Sequence, residues 1–126
     1  MRAPGAIELI DKKAERRAQI LACARNVFAR RGYHAAKIDE IVEAAGVARG
    51  AFYLYFDDKR AIFAELVDRF LARLHLSIQR IDVEGDIEQQ VKANARAVIS
   101  LFLQDRAMTK ILLTDAPGLD AELDRK

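Results

Sequence analysis

Residues Val47 to Lys59 read Val-Ala-Arg-Gly-Ala-Phe-Tyr-Leu-Tyr-Phe-Asp-Asp-Lys and gather an arginine, a glycine, two tyrosine hydroxyls and a lysine in one short stretch. At about 100° per helical residue, Arg49, Gly50 and Tyr53 fall within roughly a third of a helix circumference, with Ala48 and Phe52 on another side. A guanidinium forks onto guanine O6 and N7 or grips a phosphate, and a glycine leaves no side chain between backbone and ligand. The hydroxyls of Tyr53 and Tyr55 and the ammonium of Lys59 suit phosphate positioning better than base reading. Each residue taken singly has a plainer reading. Tyr53, Tyr55 and Phe56 could close a small core as an aromatic cluster, and Arg49 and Lys59 could be solvated surface charge. The spacing of the whole set favours a nucleic-acid contact.

Positioning such a set requires helices. Only Pro4 and Pro117 interrupt the chain, and no strand pattern lies between them. Ile20, Ala24, Val27 and Phe28 recur at helical spacing, with Arg16, Arg17, Arg25 and Arg30 around them, and predict an amphipathic helix from about Lys12 to Arg31, ended by Gly32. Ile38, Ile41, Val42 and Ala45 predict a short helix closed by Gly46, and a second short one covers Ala48 to Tyr55. Two short helices joined through a glycine turn form a helix-turn-helix, whose second helix is free to enter a major groove. Asp57 and Asp58 offer an N-cap for a long helix over about 58–81. Further helices are expected from Ile87 to near Asp105 and from Arg106 to Thr114, then a turn at Pro117-Gly118 and the start of another helix from 119. The fold class is all-α: a three-helix helix-turn-helix domain over 1–57, followed by a helical domain over 58–126.

Composition narrows the function classes. At 126 residues and 52% apolar content the chain can bury a core without staples. Residues 1–60 carry a net charge of +4 and residues 61–126 a net −2, the layout of a basic contact surface on a neutral body. Cys23 has no partner for a disulfide and reads as a small core hydrophobe; with no signal peptide, this points to the cytoplasm. The longest nearly apolar stretch, Ala97 to Leu103, is far short of the ~20 residues that span a bilayer. His34 and His75 are too isolated for a metal site, and no nucleophile with a base, metal triad or phosphate loop accompanies them. No enzyme, metal or cofactor is therefore expected. Asp82, Glu84, Asp86 and Glu88 lack the spacing of a calcium loop and read as a solvated turn.

Between about residues 16 and 63 the chain resembles the TetR family of bacterial transcriptional regulators. The matching text is Ile20-Leu21, Ala24, Phe28, Arg31-Gly32-Tyr33, Ile38, Ile41, Ala44-Ala45-Gly46-Val47, Gly50, Phe52-Tyr53, Tyr55-Phe56 and Lys59. The resemblance implies a DNA-binding domain, a recognition helix near Ala48–Tyr55, a helical ligand-binding and dimerisation body, and repression released by a small molecule. It matches Arg49, Gly50, Tyr53 and Tyr55 to positions at and beside the recognition helix. It matches Lys59 to a basic residue placed against a phosphate, and Arg17 to a basic position early in the first helix. Where the family favours Ser or Thr this chain has Ala36, Lys37 and Ala48, and it has Tyr55 where a histidine is common. Lys37 cannot accept from backbone N–H groups as a Thr cap would, but its ammonium can reach a phosphate. Family members run longer, so the second domain reads as truncated.

The partners implied are double-stranded DNA with a near-palindromic operator, a small-molecule effector of unspecified identity and a second copy of the chain, without a membrane. Phe70, Leu74, Val98, Phe102, Met108 and Ile111, with Ile78, Ile99 and Leu112, either line an effector cavity or fill one another's space. A rival reading makes Lys12–Arg31 a basic amphipathic module for an anionic membrane surface or a protein groove. Its small residues Ala18, Ala22, Ala24 and Ala29 suit packing inside a domain instead.

Overall fold

The computed structural model describes residues 6–114, so the turn at Pro117-Gly118 and the helix expected from 119 lie outside the described residues. Among the described residues the chain is entirely helical, without strands, in the order α1 (Ala6–Arg31), α2 (Ile38–Ala45), α3 (Arg49–Tyr55), α4 (Lys59–Ser77), α5 (Ile87–Gln104) and α6 (Arg106–Thr114). It divides into two compact units, Met1–Phe63 and Ala64–Lys126.

In the first unit α1 begins earlier than its amphipathic pattern, at Ala6, because nothing from there to Arg31 is a helix breaker even where apolar periodicity is absent. Its inner face, Ile20, Leu21, Ala24, Val27 and Phe28, is buried with Ile41, Val42 and Ala45 of α2. Phe63 closes this core edge-on to Phe28 at 5.2 Å and against Tyr33 at 4.6 Å between ring centroids. Burying α1's apolar face in this way leaves those residues unavailable to a membrane or a protein groove. Gly46 ends α2 in the left-handed region at φ 69°, letting Val47 N–H reach back to Val42 O at 3.1 Å. Across the helices, Gln19 Nε2 donates to Ala45 O at 3.1 Å and satisfies one of α2's terminal carbonyls.

Asp58 caps α4, its Oδ1 accepting from Ala61 N–H at 2.7 Å. The helix stops at Ser77 rather than near 81. Asn94 takes both backbone groups of Gln79, accepting from its N–H at 2.9 Å and donating to its carbonyl at 2.8 Å, so that residue cannot join the helical ladder.

In the second unit Phe70, Leu101, Met108 and Ile111 are buried, and Phe70 meets Phe102 edge-on at 5.2 Å. Of the other cavity candidates, Ile78 and Ile99 are exposed, while Leu74, Val98 and Leu112 are half-buried. Asp105 ends α5 and caps α6, its Oδ1 accepting from Met108 N–H at 3.2 Å while Oδ2 meets Arg73 Nη1 at 3.0 Å. The acidic stretch is an organised turn: Gln90 accepts from Asp82 N–H at 2.7 Å and donates to the Asp82 and Asp86 carbonyls, and Asp86 caps α5. A cleft of about 210 Å³ among Gln79, Arg80, Gln89, Gln90, Ala93 and Asn94 is polar.

Candidate nucleic-acid interface

A helix of seven residues has little intrinsic stability, so α3 is held by its packing. Ala48 enters it in extended backbone without a side-chain cap, consistent with the missing Ser or Thr. Phe52 is the anchor: it is 0% exposed and packs against Phe56, with ring centroids 5.7 Å apart. The opposite side is solvent-facing. Arg49 and Gly50 are exposed there, with Tyr53 at 45% and Leu54 at 82% exposure. Among the described residues a Cβ added at Gly50 would meet nothing within 4 Å, so none of them demands a glycine at that position.

Arg49 is not loose on this face. Its Nη1 donates to Asp39 Oδ1 of α2 at 2.9 Å, with the two side chains 60% and 69% exposed. A hydrogen bond with the Tyr53 side chain, and then the Asp39 charge, hold the Arg49 pKa above its ordinary value. One carboxylate and one phenol thus bracket a single guanidinium.

Basic groups flank the reading face. Lys37, exposed at the N-terminus of α2, makes no side-chain cap, and Glu40 instead reaches back to accept from Lys37 N–H at 3.3 Å. Lys37 borders an open cleft of about 660 Å³ with Arg30, Arg31, Glu40 and Glu43. Tyr55 is half-buried and borders another cleft, of about 130 Å³, with Lys12, Lys13 and Arg16. Arg17 lies over the ring of Phe56, 4.7 Å from its centroid, which fixes α1's basic side to the end of α3.

Lys59 faces inward. Its ammonium donates to the carbonyls of Tyr33 at 2.7 Å, Ala36 at 3.1 Å and His34 at 3.3 Å, and sits 4.5 Å from the Tyr33 ring centroid. An ammonium has three N–H donors, and all three are engaged with the turn before α2. In this arrangement Lys59 shapes the turn that presents Lys37 instead of reaching outward for a phosphate.

Arg49, Gly50 and Tyr53 therefore share one exposed face, Lys37 and Tyr55 stand in separate clefts, Arg17 packs over Phe56, and Lys59 is turned onto the carbonyls before α2. Sequence reasoning did not single out Asp39 or Leu54, and it did not place Lys12, Lys13 and Arg16 beside Tyr55. Leu54 was within reach of the same helical-wheel argument, since it lies about 40° beyond Gly50. Asp39 gave no signal, because its partner lies on the next helix. No group of His, Cys, Asp and Glu suited to a metal ion occurs among the described residues, and none of their helices is long and apolar enough to cross a membrane.

A short exposed helix set on a buried aromatic, preceded by a glycine turn and flanked by cations, defines a helix-turn-helix protein. Residues 20–66 match the family model of the bacterial regulatory proteins of the tetR family. The chain belongs to this TetR family. It is 37% identical over 106 residues to YdgC, an HTH-type transcriptional regulator of Bacillus subtilis, covering 80% of this chain and 54% of that one. To the HTH-type transcriptional activator FasR of Mycolicibacterium smegmatis it is 34% identical, covering 72% of this chain and 42% of the relative. The fatty acid metabolism regulator protein of Bacillus subtilis is 35% identical over 75% of this chain and 45% of its own length. The chain thus spans about half the length of the curated relatives it matches. The fold is shared with the fatty acid degradation regulator FadR of Bacillus halodurans, at a TM-score of 0.67 and 24% identity over 98% of this chain and 61% of that one.

Proposed function

We propose that this chain carries the DNA-reading part of a cytoplasmic transcriptional regulator, a repressor that acts as a homodimer on a near-palindromic operator and is released by a small molecule. Reading belongs to the part up to about residue 57, and the effector and dimer functions belong to the part from 58 onward. The observation that carries the proposal is the exposed face of α3, where Arg49, Gly50 and Tyr53 stand clear of a core anchored by Phe52. Arg49 forks onto a base edge, Gly50 admits the groove wall, and Tyr53, Tyr55, Arg17 and Lys37 position phosphates. Lys59 supports the same surface from within.

Two such readers about one helical turn of DNA apart would occupy successive major grooves. Ligand release requires the effector to bind the operator-competent and operator-free arrangements with different affinity. An effector with a fatty acyl chain is the first class to test, because a protein named as a fatty acid metabolism regulator is among the similar sequences.

The test is selection of bound duplexes from a random pool at near-physiological salt, followed by sequencing. Enrichment of an inverted repeat supports a dimeric operator reader, and enrichment of a single half-site supports the reading domain without the dimer. No enrichment from folded protein, together with co-flotation on anionic liposomes, would overturn the proposal.

A further inference from the structure

We propose that Asp39 is a specificity-determining residue, a positioning group that fixes the direction in which Arg49 reads its base. The inference rests on the DNA-reading role of α3.

Three observations meet at this pair. The Asp39–Arg49 hydrogen bond is short, at 2.9 Å, and joins the first turn of α2 to the first residue of α3. Both side chains are more than half exposed, a setting in which ion pairs add little to stability. The pair also sits on the one arginine of α3.

A free arginine samples many rotamers and can satisfy itself on any nearby phosphate. Tying Nη1 to a carboxylate on the neighbouring helix restricts the plane of the guanidinium before DNA arrives. The donors left over from Asp39 and Tyr53 are then presented in fewer orientations, which favours a base edge with two acceptors over the phosphate backbone. A carboxylate at the N-terminus of α2 also repels phosphates, so it weakens contacts made without regard to sequence. Both effects raise the ratio of specific to non-specific affinity.

The experiment uses the full chain and the half-site recovered by selection, with every single base-pair change measured by competition for the wild type, Asp39→Ala and Arg49→Ala. A salt titration on random duplex accompanies each protein. Asp39→Ala should lose discrimination about five- to tenfold at the same base pair that Arg49→Ala relaxes, and should bind random duplex more tightly at low salt. Its thermal midpoint should stay close to that of the wild type. Equal gains for specific and random duplex, with discrimination intact, would mean that Asp39 only competes for the guanidinium, and would overturn the proposal. Discrimination lost evenly at every position would overturn it too, by pointing to a damaged fold. Absence of any preferred half-site for the wild type would bring down the DNA-reading role as well.

Discussion

Arg31 Nε donates to Glu40 Oε2 at 2.8 Å, joining the last turn of α1 to the first turn of α2. The Arg31 hydrogen bond is the largest cause holding the Glu40 carboxyl below its ordinary 4.5; partial burial opposes it, and the Arg31 charge, the Lys37 N–H and the Arg30 charge add to it. A carboxylate with a lowered folded pKa contributes stability that is present above its unfolded value and is lost as pH falls through the folded one. Glu40→Gln should therefore be less stable than the wild type at neutral pH, by a margin that shrinks as pH falls below 4.5. Urea midpoints at about pH 7 and about pH 3 would check this, and a difference independent of pH would refute it.

Gly50 separates folding from binding. An added methyl there meets no neighbour among the described residues, and alanine is the better helix former, so Gly50→Ala should raise stability by about 0.5–1 kcal/mol. The same methyl stands on the reading face, and operator affinity should fall. A thermal melt and a binding titration on one preparation give both signs. Affinity unchanged beside a higher midpoint would remove Gly50 from the interface.

The flanking cations and the reading arginine should behave differently in salt. Lys37→Ala should weaken every duplex about equally and reduce the log–log salt slope by about 0.9. Arg49→Ala should instead cost roughly ten- to a hundredfold at one base pair. Titrations at four or more salt concentrations against specific and random duplexes distinguish the two, and an unchanged slope for Lys37→Ala would exclude it as a phosphate contact.

Lys59→Met keeps much of the aliphatic stem and removes the ammonium from three carbonyls. The loss should be about 1.5–3 kcal/mol in stability, the range for hydrogen bonds to a charged group. If Lys59 instead served DNA alone, the midpoint would not move and only the salt slope would fall.

Much of the helical order was legible from the sequence. Gly32 and Gly46 mark real helix ends, both with positive φ, and Asp58 does cap α4. The burial of Phe52 beneath an exposed Arg49 and Gly50 follows from the helical wheel alone. Periodicity was least informative where local chemistry decided the outcome. It could not see that Asn94 would take the backbone of Gln79 and stop α4 short, because that contact spans two helices. Nor could it see Lys59 turned inward, since a lysine on paper is a surface charge and only the fold brings three carbonyls to it. Asp39 was illegible for the same reason: its meaning lies in a partner ten residues away on another element.

The Lys59 ammonium has a further consequence. Three carbonyl oxygens and an aromatic face gathered around one positive charge are the ligand set of a monovalent cation cage, with the protein's own side chain as the tethered ion. Acetylating that nitrogen would remove the charge and leave a single N–H where three were needed. The turn that leads into α2 is thus held by one charge supplied from the first residue of α4. Shortening the side chain to alanine would leave a cage with no ion, which a small alkylammonium added to solution could refill.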